Sequence, residues 1–252
     1  MSKTSTIIIK SPAELEILRE AGHILAAIIA QIQSSLKIGM RTKDIDAQAE
    51  GLIEKYGVKP AFKGYRKFPA CACVSVNEEV VHGIPGHRVL IEGDIVSIDI
   101  GILHKGYYSD AAITLALGKV TPEIQSLLET TRQALYNGIG QARVNNHLSD
   151  ISHAVQKTLE AKGFSVVREF VGHGIGQNLH EDPEINNFGP PHQGPLLREG
   201  MVLAIEPMAN MGSWQTKIKD DGWTAVTLDG KPSAHFEHTV AITQHGPEIL
   251  TI

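Results

Sequence analysis

Asp99, Asp110, His173, Glu206 and Glu237 each occupy a short apolar or glycine-bearing stretch, where an isolated charge would be costly to bury. Carboxylates in runs such as Ile95-Val-Ser-Ile-Asp-Ile-Gly101 and Met201-Val-Leu-Ala-Ile-Glu206 shed hydration on folding, and a cation or paired charge is the usual compensation. Four carboxylates to one imidazole form an oxygen-rich donor set that favours hard or borderline divalent ions over soft ones and leaves room for a bound water. The expectation is two metal ions held by these five side chains.

Local geometry brings the first pair together. A hairpin turning at His104-Lys105, with Gly106 alongside, sets Asp99 directly opposite Asp110. Facing Cβ atoms in a ladder lie roughly 4.5–5.5 Å apart, so two carboxylates there repel unless cations lie between them. That spacing suits two metals about 3.5–4 Å apart. Glu206 ends its strand before Pro207, and in Ala-His-Phe-Glu-His-Thr239 the residues His235 and Glu237 share one strand face. Phe170-Val-Gly-His-Gly-Ile-Gly176 presents its imidazole on a glycine-rich turn, where backbone and ligand approach closely.

The elements that must position these groups are legible too. Ser11-Pro-Ala-Glu14 is a capping-box start with proline at the first helical position, and Leu15, Leu18, Ile24, Leu25, Ile28, Ile29, Ile32 and Leu36 follow at helical spacing. A second helix is expected from Thr42 to Tyr56, ending at Gly57; Thr121-Pro-Glu123 opens a third, and a fourth runs from Ser149 to Lys162, ending at Gly163. Aligning Asp44-Ile45 with Asp150-Ile151 also matches Ile53 with Leu159, Glu54 with Glu160 and Gly57 with Gly163, all at an offset of 106. The match fits either a duplication or two ordinary amphipathic helices, and it suggests two α+β halves sharing one sheet. Strand-like runs cover 71–76, 95–101, 107–117, 201–206, 224–228 and 234–243, and their short glycine- or proline-bearing connections indicate antiparallel pairing.

Composition excludes several classes. A chain of 252 residues, 42% hydrophobic, can bury a sizeable core, and no low-complexity linker divides it, so one domain over 1–252 is expected. A net charge of -5 without a Lys/Arg cluster argues against binding nucleic acid. Cys71 and Cys73 are too close to close a useful loop and too few for a structural zinc site, which fits a reducing compartment. The amino terminus holds no apolar run long enough for export, and no membrane span follows; a soluble cytoplasmic monomer is the expectation.

Across essentially its whole length the chain resembles the bacterial-type type I methionine aminopeptidases of the pita-bread fold. The resemblance rests on Asn77-Glu-Glu-Val-Val-His-Gly-Ile-Pro85, on Asp99 followed by Asp110, on Gly-His-Gly-Ile-Gly176 with the later His180, on Ile-Glu-Pro207, and on Phe-Glu-His-Thr239. It implies an antiparallel sheet backed by helices in two pseudo-symmetric halves, and removal of the initiator methionine from new polypeptides. By the same resemblance Asp99 chelates one divalent ion (Co, Mn, Fe or Zn), Asp110 and Glu237 bridge two, and His173 with Glu206 completes the second. A shared water is then the nucleophile, Glu206 accepts its proton, His180 stabilises the oxyanion, and His82 contacts the scissile amide and assists departure of the amine.

The resemblance further implies a slot for the methionine side chain walled by Phe62, Tyr65, Phe68, Cys73, Leu179 and Trp223. Relatives often carry Tyr where Phe68 stands, and some carry Cys where Phe62 stands. Small second residues are preferred, Asn77 and Ser233 mark a monovalent cation, and ribosome contact is a family expectation. The type I assignment uses two short intervals, 33 positions from His173 to Glu206 and 31 from Glu206 to Glu237, which leave no space for the extra helical subdomain of type II relatives. Nor does a zinc-finger extension precede residue 11. Two rivals are a prolidase or aminopeptidase P-like hydrolase, and a non-catalytic peptide-binding protein on the same fold.

Overall fold

Ser11 opens the first helix in the expected way: its hydroxyl accepts the Glu14 N–H while the Glu14 carboxylate accepts the Ser11 N–H, with Pro12 at the first helical position. The structure, a computed structural model, describes residues 6–252. Its helices are α1 (Pro12–Ser35), α2 (Thr42–Lys55), α3 (Pro122–Ile139) and α4 (Leu148–Glu160). The strands are β1 (Lys59–Pro60), β2 (Ala72–Val76), β3 (Glu79–Val81), β4 (Ile95–His104), β5 (Tyr107–Ala116), β6 (Ser165–Val166), β7 (Gly172–Gly174) and β8 (Glu181–Ile185). They continue as β9 (Val202–Ile205), β10 (Met208–Asn210), β11 (Thr216–Ile218), β12 (Ala225–Thr227), β13 (Ser233–His235), β14 (Glu237–Thr243) and β15 (Gly246–Ile249).

A large antiparallel sheet runs β1-β4-β5-β14-β9-β7-β8, with β2 beside β4 and β15 beside β14; β13-β10-β6 and β11-β12-β3 form two smaller sheets. Strand alternation sends one set of side chains to the helices. Val96, Ile98, Ile100 and Ile102 of β4 pack with Leu25, Ile28 and Ile32 of α1 and Ile45 and Ile53 of α2. Leu203, Ile205, Val240 and Ile242 pack with Leu127 and Leu135 of α3 and Ile151, Val155 and Leu159 of α4. The opposite face of the same strands carries Asp99, Asp110, Glu237 and Ala204.

The positions matched at the offset of 106 share their local geometry. Asp44 and Asp150 each stand three residues into a helix and accept the N–H of the cap residue, Arg41 at 2.9 Å and His147 at 2.8 Å. Gly57 and Gly163 both close their helices with positive φ, 68° and 81°.

Three expectations are corrected. The β4–β5 hairpin turns at Lys105-Gly106, whose φ values of 48° and 87° supply the two positive values that a tight two-residue turn requires. His104 therefore pairs with Tyr107, Asp99 pairs with Ala112, and Asp110 faces Gly101. Asp99 and Asp110 are diagonal neighbours two residues out of register, still on one face. The run 234–243 is also two strands rather than one, broken at Phe236, so His235 belongs to a small sheet and Glu237 to the large one. The glycine-rich segment around His173 is the strand β7 instead of a turn.

Candidate active site

Two neighbouring rows across the large sheet gather the five metal-ligand candidates. In one, Cys73, Asp99, Ala112 and Glu237 follow one another across β2, β4, β5 and β14, and Glu206 comes immediately after Ile205, the partner of His238. In the other, Gly101 faces Asp110, and Thr239, Ala204 and His173 are successive partners across β14, β9 and β7. The Thr239 hydroxyl joins the two parts, accepting from the Asp110 N–H at 3.0 Å and donating to the Asp110 carbonyl at 2.8 Å. Small residues separate the charged ones within each row, leaving free space above the sheet.

Each ligand candidate is held locally. His173 sits where β7 shifts register against β8, and the Cβ of any larger residue at Gly174 would lie 2.2 Å from the Asp182 carbonyl oxygen. Its Nδ1 donates to the Gly174 carbonyl at 2.9 Å, and since a carbonyl can only accept, the Nε2 lone pair is left facing Glu206 Oε1 at 3.6 Å. The Asn187 amide donates to the Glu206 carbonyl at 3.0 Å and fixes the chain before Pro207.

Electrostatics mark the centre as incomplete without cations. Burial, then Asp110 and Glu206, pushes the Asp99 carboxyl well above its ordinary value; Glu237 is raised in the same direction by burial and by Asp110, Glu206 and Asp99. Glu206 is raised by burial and Asp110, and burial raises Asp110 to about 7. Burial lowers His173 to about 3, keeping it neutral. Asp99 Oδ1, Asp110 Oδ1 and Glu237 Oε1 are buried without hydrogen-bond partners, and donor atoms of Asp110, His173 and Glu237 lie within 4.8 Å of one another. Unsatisfied carboxylate oxygens around an imidazole lone pair fit divalent cations, because only positive charge offsets that crowding.

These groups line a cavity of about 120 Å³ together with Phe62, Tyr65, Phe68, Cys73, Leu179, Trp223 and His82, and with the exposed His180. Every expected wall residue of the apolar slot is therefore present in it. Phe68 meets Trp223 edge to face at 5.1 Å, and burial followed by Asp99 keeps the Cys73 thiol protonated. Tyr65 does more than wall the slot: its hydroxyl lies 3.0 Å from His180 Nδ1, and the His180 ring is 4.2 Å from that of His173. His82 takes a positive φ of 59° and packs edge to face on Phe170 and Trp223; burial lowers its pKa to about 4.

Arg66 and Val81 line the cavity as well; Val81 lies within the 77–85 segment but carries no polar group to single it out, and Arg66 lies in no motif. His235 was noted only for its strand face, yet its buried Nε2 is 3.7 Å from Glu206 Oε2. Asn77 and Ser233 lie away from this cavity and meet through a 2.9 Å bond from the Ser233 N–H to the Asn77 carbonyl. Cys71 and Cys73 are both free thiols. Among the described residues no helix is long and apolar enough to cross a membrane.

Comparison with known proteins agrees with this architecture. A model of metallopeptidase family M24 matches residues 16–244. The chain is 54% identical over 245 residues to methionine aminopeptidase 1 of Bacillus subtilis, covering 97% of this chain and 99% of that one. The crystal structure of methionine aminopeptidase from Thermotoga maritima superposes with a TM-score of 0.96 at 46% identity, covering 98% and 99% of the two chains. Prolidase from Pyrococcus furiosus shares the fold at a TM-score of 0.80 and 24% identity, but only 65% of that longer chain is covered.

Proposed function

The chain belongs to metallopeptidase family M24, and from that premise we propose that it is a methionyl aminopeptidase acting as a single catalytic domain. Its substrates are polypeptides, nascent chains above all, whose amino-terminal methionine is followed by a small residue. The observation that carries this reading is a set of unpartnered carboxylate oxygens on Asp99, Asp110 and Glu237, beside a neutral His173, at the base of an apolar slot.

Asp99, Asp110, His173, Glu206 and Glu237 hold two divalent ions in this reading. When bound, such ions supply positive charge that polarises the scissile carbonyl and eases deprotonation of an attacking water. Glu206 takes up the proton and delivers it towards the leaving amine. The Tyr65 hydroxyl lies 3.0 Å from His180 Nδ1; in this reading it donates there, which puts the imidazole proton on Nε2, where it meets the carbonyl oxygen as negative charge develops. His82, kept neutral by burial, contacts the scissile amide. Phe68, Cys73, Leu179 and Trp223 take the thioether, whose polarisable sulfur gains from aromatic edges.

Metal-replete protein is expected to release methionine from Met-Ala-Ser, and Asp110→Ala and Glu237→Ala variants to lose that activity. Cleavage confined to Xaa-Pro peptides would assign the chain to the prolidase side. Binding without cleavage by intact, metal-loaded protein would make it a peptide-binding module.

A further inference from the structure

Lys10 and Glu181 form a buried ion pair across 171 positions of sequence, with Nζ and Oε2 2.7 Å apart and each side chain only 3% exposed. Such pairs contribute little net stability, because desolvation offsets their attraction, but they hold the elements they join in one arrangement. Here the joined elements are the segment entering α1 and the start of β8, the strand that follows His180 directly.

Glu181 ties the pair to that loop, and the other contacts of Lys10 anchor the chain before α1. The second oxygen of Glu181 accepts the Asn178 N–H at 3.0 Å, so one carboxylate closes the turn 178–181 and takes the Lys10 charge. Lys10 Nζ also donates to the Ile8 carbonyl at 3.2 Å, and its backbone N–H is anchored on the Gly200 carbonyl at 2.8 Å. The loop is packed against the pair: a Cβ at Gly176 would lie 2.6 Å from Lys10 Cε and 2.7 Å from Glu181 Oε1. Leu179 and His180, a slot wall and an exposed rim imidazole, ride on this loop between Asn178 and Glu181.

We propose that Lys10 and Glu181 are positioning residues for His180, fixing where its imidazole meets the substrate carbonyl. The proposal rests on the reading of His180 as the oxyanion donor. Small displacements of such a donor are costly in the transition state and nearly free in the ground state.

The test measures kcat and KM on Met-Ala-Ser for metal-loaded Lys10→Met, Glu181→Gln and His180→Ala, and for Lys10→Met and Glu181→Gln each combined with His180→Ala. Each single pair variant is expected to lower kcat by about tenfold or more with KM little changed. In the His180→Ala background the pair variants should cost nothing further, since their effect passes through a ring no longer there. Losses that multiply in that background, or full kcat in both pair variants, would overturn the proposal. Full kcat in His180→Ala itself would sink the assignment of that residue, an outcome distinguishable from the others. Glu181→Gln preserves size and an acceptor for Asn178, so the test stands if Lys10→Met does not fold. Imidazole nitrogen spectra of the metal-free protein give a second readout: His180 signals should shift in Glu181→Gln while those of His82 stay in place, and unchanged His180 signals would count against the pair.

Discussion

His173 directs its Nε2 at Glu206 Oε1, 3.6 Å away, while its Nδ1 is committed to the Gly174 carbonyl. The backbone of one strand thus selects the tautomer that can bind a metal, before any metal arrives. Loss of an outer-shell partner alone costs about 10–100-fold in metal affinity, so removing the ligand should cost at least that much. Calorimetric titration of His173→Ala with Mn²⁺ or Co²⁺ should show affinity weakened by about 100-fold or more, and an unchanged isotherm would remove His173 from the centre.

Metal uptake should release protons. Asp110 is half protonated at about pH 7, and Asp99, Glu206 and Glu237 are shifted the same way, whereas His173 is already neutral above about pH 3. A cation displaces the carboxyl protons, so apparent affinity should fall as pH drops below about 7. Titration at pH 6 in two buffers of different ionisation enthalpy measures the count, which should be positive and shrink by pH 8.

Without bound metal, the centre should oppose folding at high pH. A carboxylate whose folded pKa is raised, as for Asp110 at about 7, imposes no penalty below its unfolded value near 4, a growing one between about pH 4 and 7, and the full one above. That penalty is a few kcal/mol for a buried group. Asp110→Asn and Glu237→Gln should therefore raise the melting temperature of chelator-treated protein at pH 8, by several degrees, yet reduce the further rise that metal gives the native sequence. Lower melting points in both variants without metal would show that these side chains are satisfied some other way.

Gly101 couples the ligand floor to the slot. A Cβ there would lie 2.7 Å from Phe62 Cε1 and 2.9 Å from the Ala61 Cβ, so alanine must push the Phe62 ring. Overpacking of this kind costs about 1–3 kcal/mol. Gly101→Ala should raise KM for Met-Ala-Ser about tenfold while metal affinity stays within twofold of the native value. A loss confined to metal affinity would mean that the strain is relieved through Asp110 instead.

Much of the fold was legible because it follows from local rules. The capping residues Ser11 and Thr121, the glycines Gly57 and Gly163, and the helical spacing of Leu18, Leu25, Ile28 and Ile32 act within a few residues of themselves. Short strands escaped notice where a pattern of two or three residues carries no periodicity, as for β1, β6 and β10. His235 went unassigned as a neighbour of Glu206 because nothing in its own segment foretells the break at Phe236 that redirects it.

Residue types alone pointed to four carboxylates and an imidazole sharing cations, since an isolated carboxylate is costly to bury in an apolar strand. What they could not determine was the register. The centre of one turn falls between Lys105 and Gly106, because that is where backbone with positive φ costs least, and this sets Asp110 against Gly101 and Asp99 against Ala112. Only the packed sheet, by laying β14, β9 and β7 beside that hairpin, brought Glu237, Glu206 and His173 to the same two rows. Strand pairing joins residues far apart in sequence through contacts that no local window contains, so the list of ligand candidates was written in the chain and their arrangement in the fold.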